Sequence, residues 1–141
     1  MSQHYKNHSR LVLGYHGITL PLLLALIGGS IANLVTTSRD NLYSASLIVL
    51  IAVILSLIYI YARAFALRAQ DRAIRAEESL RHFLITGKPI DARLRLGQII
   101  ALRFASEEEL VALTKKAIDE KLSNRDIKKN IRNWRADYHR V

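Results

Sequence analysis

Two long apolar stretches without a charged residue occupy much of the first half of the chain. The first covers residues 11–35 and the second residues 41–62, and a five-residue loop at 36–40 separates them. At about 1.5 Å of rise per residue, each stretch is long enough as a helix to cross a hydrocarbon layer about 30 Å thick. A helix also satisfies its own backbone polar groups, which lipid cannot do. The sequence therefore predicts two transmembrane helices.

Almost all of the charge lies after the second apolar stretch. Residues 63–141 carry 18 of the 21 Lys and Arg residues and 11 of the 12 Asp and Glu residues, and the whole chain has a net charge of +9. Lys6 and Arg10 precede the first stretch, whereas the loop has only Arg39 beside Asp40. Because cytoplasmic flanks of membrane helices are rich in Lys and Arg, we expect residues 1–10 and both termini to be cytoplasmic and the loop to be extracytoplasmic.

A cleaved signal peptide is the alternative interpretation of the first stretch. The small residues Ser30 and Ala32 resemble a signal-peptidase site, but the apolar region is longer than the roughly 7 to 15 residues typical of a signal. We therefore favour a membrane helix. The chain has no cysteine, which excludes disulfides and cysteine metal sites.

Small residues lie about one turn apart on the first predicted helix, and they allow another helix backbone to approach closely. We expect this face to pack against the second helix, with a neighbouring subunit as the alternative. Pro21 predicts a kink within the span. The small residues are Ala25, Gly28, Gly29 and Ala32.

His16 is the only strongly polar side chain in the apolar stretches, and an ionisable group within a membrane is a functional hypothesis by default. Ligation of a haem or chlorophyll is one interpretation. A position at the membrane edge beside Tyr15 is the one we favour, because a second membrane histidine is lacking. Tyr43, Tyr59 and Tyr61 complete a predicted aromatic belt at the two interfaces.

The second predicted helix extends beyond its apolar part, because no Gly or Pro occurs between residues 41 and 86. Gly87 and Pro89 then predict its end. Small and apolar residues recur along it in steps of three and four, which is the spacing of a coiled-coil seam. The chain's own C-terminal helices or a second copy in a homo-oligomeric stalk are the alternative partners. We call the alanine part of this pattern the alanine seam, which consists of Ala62, Ala66, Ala69, Ala73 and Ala76.

Residues 63–141 are predicted to form a small cytoplasmic domain with helices at about 63–86, 92–105, 107–122 and 124–139. A capping box of Ser106 and Glu109 starts the third of these helices, and Ser123 caps the fourth. The predicted fold is therefore all-α, a two-helix transmembrane hairpin whose second helix extends into a small cytoplasmic helical domain.

The last predicted helix is basic and amphipathic, with Ile127, Ile131, Trp134 and Tyr138 on its apolar side. Such a helix packs on its own domain, or lies on anionic lipid of the inner leaflet or in a partner's groove. No recognition motif for nucleic acid accompanies the charge. The residues predicted to contact anionic lipid or a partner are Arg63, Arg68, Lys128, Lys129, Arg132, Trp134 and Arg135.

The chain has no spacing typical of a catalytic, metal or cofactor site. The candidate acid–base residues His82, Asp91, Glu108 and His139 are dispersed in the sequence. We therefore expect no enzyme activity, no metal and no cofactor, and we predict a membrane-anchored interaction module that binds a protein partner or itself. The alternative is an accessory subunit of a larger membrane complex or transporter, since two uncharged spans make a poor pore on their own.

Several segments resemble an uncharacterised family of small bacterial membrane proteins, and the resemblance covers nearly the whole chain. It implies a bacterial inner-membrane location and a domain of unknown function, and it transfers no catalytic residue. The segments that carry it are residues 5–8, 41–46, 65–78, 98–106 and 133–137.

Overall fold

The computed structural model of the protein describes residues 11–137. The predictions for Lys6, Arg10, Tyr138 and His139 lie outside these residues. The regular secondary structure of the described range is helical, with one isolated β-bridge and no strand, which confirms the all-α prediction. The α-helices are α1 (Leu20–Thr36), α2 (Leu42–Thr86), α3 (Leu96–Leu102), α4 (Glu107–Asp119) and α5 (Asn124–Asn130).

The chain divides into two compact units, and α2 contributes to both. The first unit is Leu11–Ala66, which we call the apolar unit, and the described part of the second is residues 67–137, which we call the charged domain. Two helices, Leu13–Thr36 and Arg39–Thr86, are long and apolar enough to cross a membrane.

The apolar unit begins with a π-helix, Leu13–Thr19, that changes into α1 one residue before Pro21. Pro21 has no backbone N–H and cannot occupy the interior of an α-helix without losing a hydrogen bond. In the structure it lies in the first turn of α1, where a missing donor costs little, and the N–H of Leu20 bonds back to the carbonyl oxygen of Tyr15. The proline therefore marks a change of helix type.

The buried positions of the apolar unit are small residues, whereas most of its large side chains are exposed. Ser30, Ala45 and Ala52 are between 1% and 4% exposed, and the Ser30 hydroxyl donates to the carbonyl oxygen of Ile27 at 2.9 Å. A polar residue is tolerated at this buried position because its own helix satisfies it.

The predicted packing of the small-residue face of the first helix on the second is wrong. A Cβ added to Gly28 or Gly29 would meet nothing within 4 Å, and the neighbouring Ala25 and Ala32 are exposed as well. Ser30 is buried instead, and at about 100° per residue it lies on a different side of α1 from this face. A contact of the small-residue face with a neighbouring subunit stays a prediction.

The charged domain has one apolar core, in which α3 packs against α4 and α5. The Ile99, Leu102 and Ile127 side chains are almost completely buried. Helices of seven residues, such as α3 and α5, are too short to be stable alone, so this shared core holds them. The core residues are Leu94, Ile99, Ala101, Leu102, Ala105, Leu110, Leu113, Ala117 and Ile127.

The predicted starts of α4 and α5 are confirmed. The N–H of Ser106 donates to the Glu109 carboxylate at 3.4 Å, and the hydroxyl of Ser123 accepts from the N–H of Asp126 at 3.2 Å. The predicted helix at 92–105 is too long, because residues 91–95 form a turn and α3 begins only at Leu96. Likewise α4 ends at Asp119 instead of 122, since Lys121 adopts a left-handed conformation.

The predicted last helix is wrong from residue 131 onwards. Ile131 is extended, and residues 131–137 continue as a tail that pairs with the end of α3 through an antiparallel bridge between Ala105 and Trp134. The N–H groups of Arg132 and Asn133 both donate to the Glu109 carboxylate, at 3.1 and 3.2 Å. These long-range hydrogen bonds replace the intrahelical ones that the apolar periodicity predicted.

Candidate functional site

Tyr15 and Tyr59 join the first helical segment to α2 in the apolar unit. The hydroxyl of each tyrosine donates to the backbone carbonyl oxygen of the other, and the two rings stack with their centroids 4.1 Å apart. The side chains satisfy their polar ends within the pair and bury their faces against each other. We call this arrangement the tyrosine pair. The sequence predicts an aromatic belt near the membrane interfaces, but it does not predict this pairing.

Two further predicted residues lie against the tyrosine pair. The guanidinium carbon of Arg63 is 5.3 Å from the centroid of the Tyr15 ring, which is a cation–π distance, and the His16 ring meets the Tyr15 ring edge-on at 5.0 Å. Nδ1 of His16 is also 3.2 Å from the backbone N of Val12. His16 is therefore engaged with its own helical turn and its aromatic neighbour.

The alanine seam is exposed over most of its length. In the apolar unit Ala62 is exposed and Ala66 is half-buried, and in the charged domain Ala69, Ala73 and Ala76 are exposed. The same side of α2 continues with Leu80 and Phe83, which are 58% and 49% exposed.

Other segments of the charged domain contact another side of α2. The buried residues there are Ile74, Glu78 and His82, which lie roughly 120 to 160° around the helix from Leu80. The C-terminal helices, which are one of the two predicted partners, therefore do not cover the alanine seam.

Charged side chains bind the tail of the charged domain to α2. Glu78 accepts from Arg81 at 3.0 Å and from Arg135 at 3.5 Å, and Arg81 also donates to the carbonyl oxygen of Ala105 at 2.8 Å. The side chains of Glu78 and Arg81 are 8% and 10% exposed. Because buried charges require partners, this network fixes the tail across the end of α3.

Trp134 stacks on the buried Phe104 ring at a centroid distance of 4.7 Å. Lys128 lies over the same Phe104 ring at 5.4 Å, and Arg103 lies over it at 4.4 Å while its Nε is 3.1 Å from Asp137. Trp134 therefore packs on its own domain, which was one of the predicted alternatives.

The residues predicted to contact lipid or a partner do not form one surface. Arg135 belongs to the Glu78 network and Lys128 to the Phe104 stack, while Arg63 lies in the apolar unit. Within the charged domain, Arg68, Lys129 and Arg132 are exposed. The predicted helical stripe fails because the chain leaves the helix at Ile131.

The predicted acid–base candidates stay apart from each other. Nδ1 of His82 is 3.1 Å from the carbonyl oxygen of Lys88, so the His82 side chain contacts the segment that follows α2. Asp91 pairs with Arg93 at 2.7 Å, and these hydrogen bonds lower the pKa of Asp91 to about 2. Glu108 is exposed on the first turn of α4. Among residues 11–137, no group of three or more His, Asp and Glu side chains is arranged to hold a metal ion.

Comparisons with known proteins give a family and no activity. No curated protein matches this chain, and no solved structure matches it. One family model covers it from end to end, over residues 1–141. The chain therefore belongs to the family of unknown function DUF6526.

Proposed function

We propose that this protein is a non-enzymatic membrane-anchored module, whose apolar unit crosses a bilayer twice and whose charged domain binds protein partners, including a second copy of itself. The observation that carries the proposal is the inverted burial of the apolar unit. Its buried residues are the small ones Ser30, Ala45 and Ala52, and its leucine and isoleucine side chains are largely exposed. In the most apolar windows of the two long helices, only 6% and 11% of residues are buried.

Water is an unsuitable solvent for such a surface. Soluble proteins rarely expose contiguous apolar patches larger than a few hundred Å2, and exposed apolar side chains line both helices of the unit. The core helix of a soluble protein is equally apolar but mostly buried. A hydrocarbon layer satisfies both helices, because their backbone hydrogen bonds are internal.

The orientation follows from charge. The loop carries one cation and one anion, Arg39 and Asp40, whereas Arg63 and Arg68 follow the second span. We assign both termini to the cytoplasm of a bacterial inner membrane on this asymmetry and on the family resemblance.

Self-association through the alanine seam is the interaction that the charged domain supports best. Ala69, Ala76, Leu80 and Phe83 are exposed on a side of α2 that lies away from the domain's own core. Small residues allow close helix approach, and Leu80 and Phe83 add large apolar side chains beside them. A second copy of the same helix offers a complementary surface.

Cysteine scanning tests location and association together, because the chain has no native cysteine. In intact cells we expect a membrane-impermeant maleimide to label Ser38→Cys and to spare Lys88→Cys. In native membranes we expect Leu80→Cys to form a disulfide-linked dimer, and we expect the control Arg75→Cys, which is exposed on another side of α2, to remain monomeric. Labelling of both Ser38→Cys and Lys88→Cys would contradict the proposed location. Equal crosslinking of Leu80→Cys and Arg75→Cys would contradict the proposed association.

An accessory subunit of a larger membrane complex or transporter is the second candidate. The exposed face of Ala25, Gly28, Gly29 and Ala32 supports it, because a small-residue face in lipid accommodates another membrane helix. Replacing Gly28 with Leu tests this candidate in a native co-purification. Loss of a membrane partner from the Gly28→Leu variant, with retention by Leu24→Ala, supports it, and an unchanged set of partners contradicts it.

A further inference from the structure

A broad cleft opens on the charged domain beside the start of α3 and the connection between α4 and α5. Its volume is about 700 Å3, which falls within the range of roughly 300–1,000 Å3 for small-molecule sites. Ten residues of the described chain line it, and none of them is acidic. Four are cations, namely Arg93, Arg95, Lys121 and Arg125. Clustered cations in a concave surface attract anions more strongly than the same charges dispersed.

Lys121 occupies this cleft in an uncommon backbone conformation. Its φ angle is 50°, and among the described residues it is the only non-glycine residue with a positive φ. Its N–H donates to the carbonyl oxygen of Ile118, and the next N–H, of Leu122, donates to that of Ala117. This is a Schellman motif, in which glycine is the preferred residue at the position of Lys121. A lysine held in a strained conformation at a cleft points to a function for its charge.

Contacts of the Gln98 and Asn124 side chains hold the walls of the cleft together. The Gln98 side chain accepts from the N–H of Arg95 and donates to the carbonyl oxygen of Leu122, both at 2.8 Å. The Asn124 side chain lies so close to Gly97 that a Cβ on this glycine would be 2.3 Å from Asn124 Nδ2. These contacts tie the start of α3 to the start of α5, so the two sides of the cleft keep their spacing.

One of the four cations is also oriented by a carboxylate outside the cleft lining. Asp91 accepts from Nε and Nη2 of Arg93, the latter at 2.7 Å, and from the Arg93 backbone N–H at 2.9 Å. The Arg93 side chain nevertheless remains 71% exposed. A guanidinium has five N–H donors, so Arg93 retains donors for a ligand while Asp91 restricts its movement.

We propose that this cleft binds a ligand through phosphate groups. Arginine offers paired N–H donors that match phosphate oxygens, and lysine adds a compact point charge. The cations of the cleft, one of them paired with Asp91, suit a ligand with one or two phosphate groups. A soluble phosphate compound and a phospholipid headgroup share this chemistry. The inference concerns only the charged domain and does not depend on the proposed self-association.

Lysine acylation of the full-length protein tests the site directly, with inorganic pyrophosphate as the probe in a neutral detergent. Lys121 lies in the cleft just after α4, and Lys115 is an exposed control on α4 outside the cleft. We expect pyrophosphate to slow acylation of Lys121 at least about threefold at saturation, with the rate at Lys115 unchanged, because a bound anion covers the amine. A parallel arm compares nanodiscs of phosphatidylcholine with nanodiscs that also contain phosphatidylglycerol.

Paired variants with equal loss of charge separate a site from general attraction. We expect Arg95→Gln with Arg125→Gln to raise the half-protecting pyrophosphate concentration about tenfold or more. The control pair Arg72→Gln with Arg75→Gln removes two exposed cations of α2 and should change it less than about twofold. Trp134 is the only tryptophan, so its fluorescence reports whether the domain is folded. If the cleft pair fails to fold, Arg93→Gln alone replaces it, and it should weaken protection about threefold.

Every outcome of this experiment decides the proposal. Protection of Lys121 by pyrophosphate alone supports a soluble phosphate ligand, and protection by phosphatidylglycerol alone supports a lipid headgroup. Protection in both arms supports the shared phosphate chemistry. Equal slowing at Lys121 and Lys115, equal effects of the two variant pairs, or no protection in either arm overturns the proposal.

Discussion

Tyr15 and Tyr59 exchange hydroxyl hydrogen bonds with each other's backbone carbonyl oxygens across 44 residues of sequence. The carbonyl oxygen of Tyr15 also accepts from Leu20 within the π-helix. Tyr15 therefore lies in the wider turn of the π-helix and also forms the ring stack, in which the centroids are 4.1 Å apart. π-Helical segments are rare and often occur at functional positions, and here the segment carries the side chain that fastens the two helices.

Removal of either hydroxyl should loosen the apolar unit. We expect Tyr15→Phe and Tyr59→Phe each to lower the free energy of opening by about 1 kcal/mol, which is the typical net value of one hydrogen bond. Ser30→Cys provides the measurement, because Ser30 is buried and cysteine is nearly isosteric with serine. In the detergent-solubilised protein, its labelling rate with N-ethylmaleimide should rise about fivefold for each change.

Tyr61→Phe is the matched control, since Tyr61 is 54% exposed and near the same end of the apolar unit. Its labelling rate should equal that of the parent Ser30→Cys protein. Equal rates for all three phenylalanine variants would contradict the assigned role of the tyrosine pair.

The sequence predicts those elements whose signals are local. The end of α2 at Thr86 follows from the uninterrupted stretch before it and from Gly87, which has the positive φ of 67° that a helix C-terminus favours. The start of α4 follows from the capping residues Ser106 and Glu109. Both signals act within a few residues, so periodicity and capping rules detect them.

The tail and the tyrosine pair depend on contacts that are distant in sequence. Trp134 fits a helical apolar stripe equally well, but its actual partner is Phe104, and Glu109 takes the N–H groups of Arg132 and Asn133 that a helix would have used. Periodicity carries no information about such partners. The positive φ of Lys121 also could not be predicted from the sequence, because lysine is not a residue typical of a left-handed turn.

Loss of Glu78 should destabilise the charged domain strongly. We expect Glu78→Ala to lower the free energy of unfolding by about 3 kcal/mol or more, because the nearly buried guanidinium of Arg81 loses its carboxylate partner and the tail loses its link through Arg135. Urea unfolding in detergent, followed by Trp134 fluorescence, measures it. Glu77→Ala is the control on an exposed neighbour and should change stability by less than about 0.5 kcal/mol. Similar losses for both variants would contradict the network.

The ion pair of Asp91 and Arg93 should make stability depend on acid pH. The pKa of Asp91 is lowered to about 2 from an ordinary value of 3.8, so its ionised form is favoured in the folded state. The unfolded chain therefore binds the proton first, so the contribution of Asp91 is complete above about pH 5 and is lost as the pH falls through about 2.

Asp91→Asn tests this dependence. The difference in urea midpoint between the parent protein and Asp91→Asn should be constant from neutral pH to about pH 5 and should vanish near pH 2. Arg93→Gln should show the same dependence, and the double variant should resemble either single variant, because both remove one interaction. A difference that persists unchanged below pH 2 would contradict the assignment.

Lys121 and Gly87 occupy equivalent left-handed positions after α4 and α2, with φ angles of 50° and 67°. Glycine adopts this conformation without the steric cost that a Cβ adds, so Lys121→Gly should stabilise the charged domain by roughly 0.5–1 kcal/mol. Lys121→Ala keeps the Cβ and removes the rest of the side chain with its amine, so it should not gain this stability. Both variants should still weaken pyrophosphate binding, measured as the increase in the Trp134 unfolding temperature that the ligand produces. A glycine variant that is more stable but binds pyrophosphate less well would show that the lysine contributes its charge to binding at a cost in stability. Such a trade-off is common at functional sites. Equal binding by the parent protein and both variants would show instead that Lys121 has no part in the cleft's affinity.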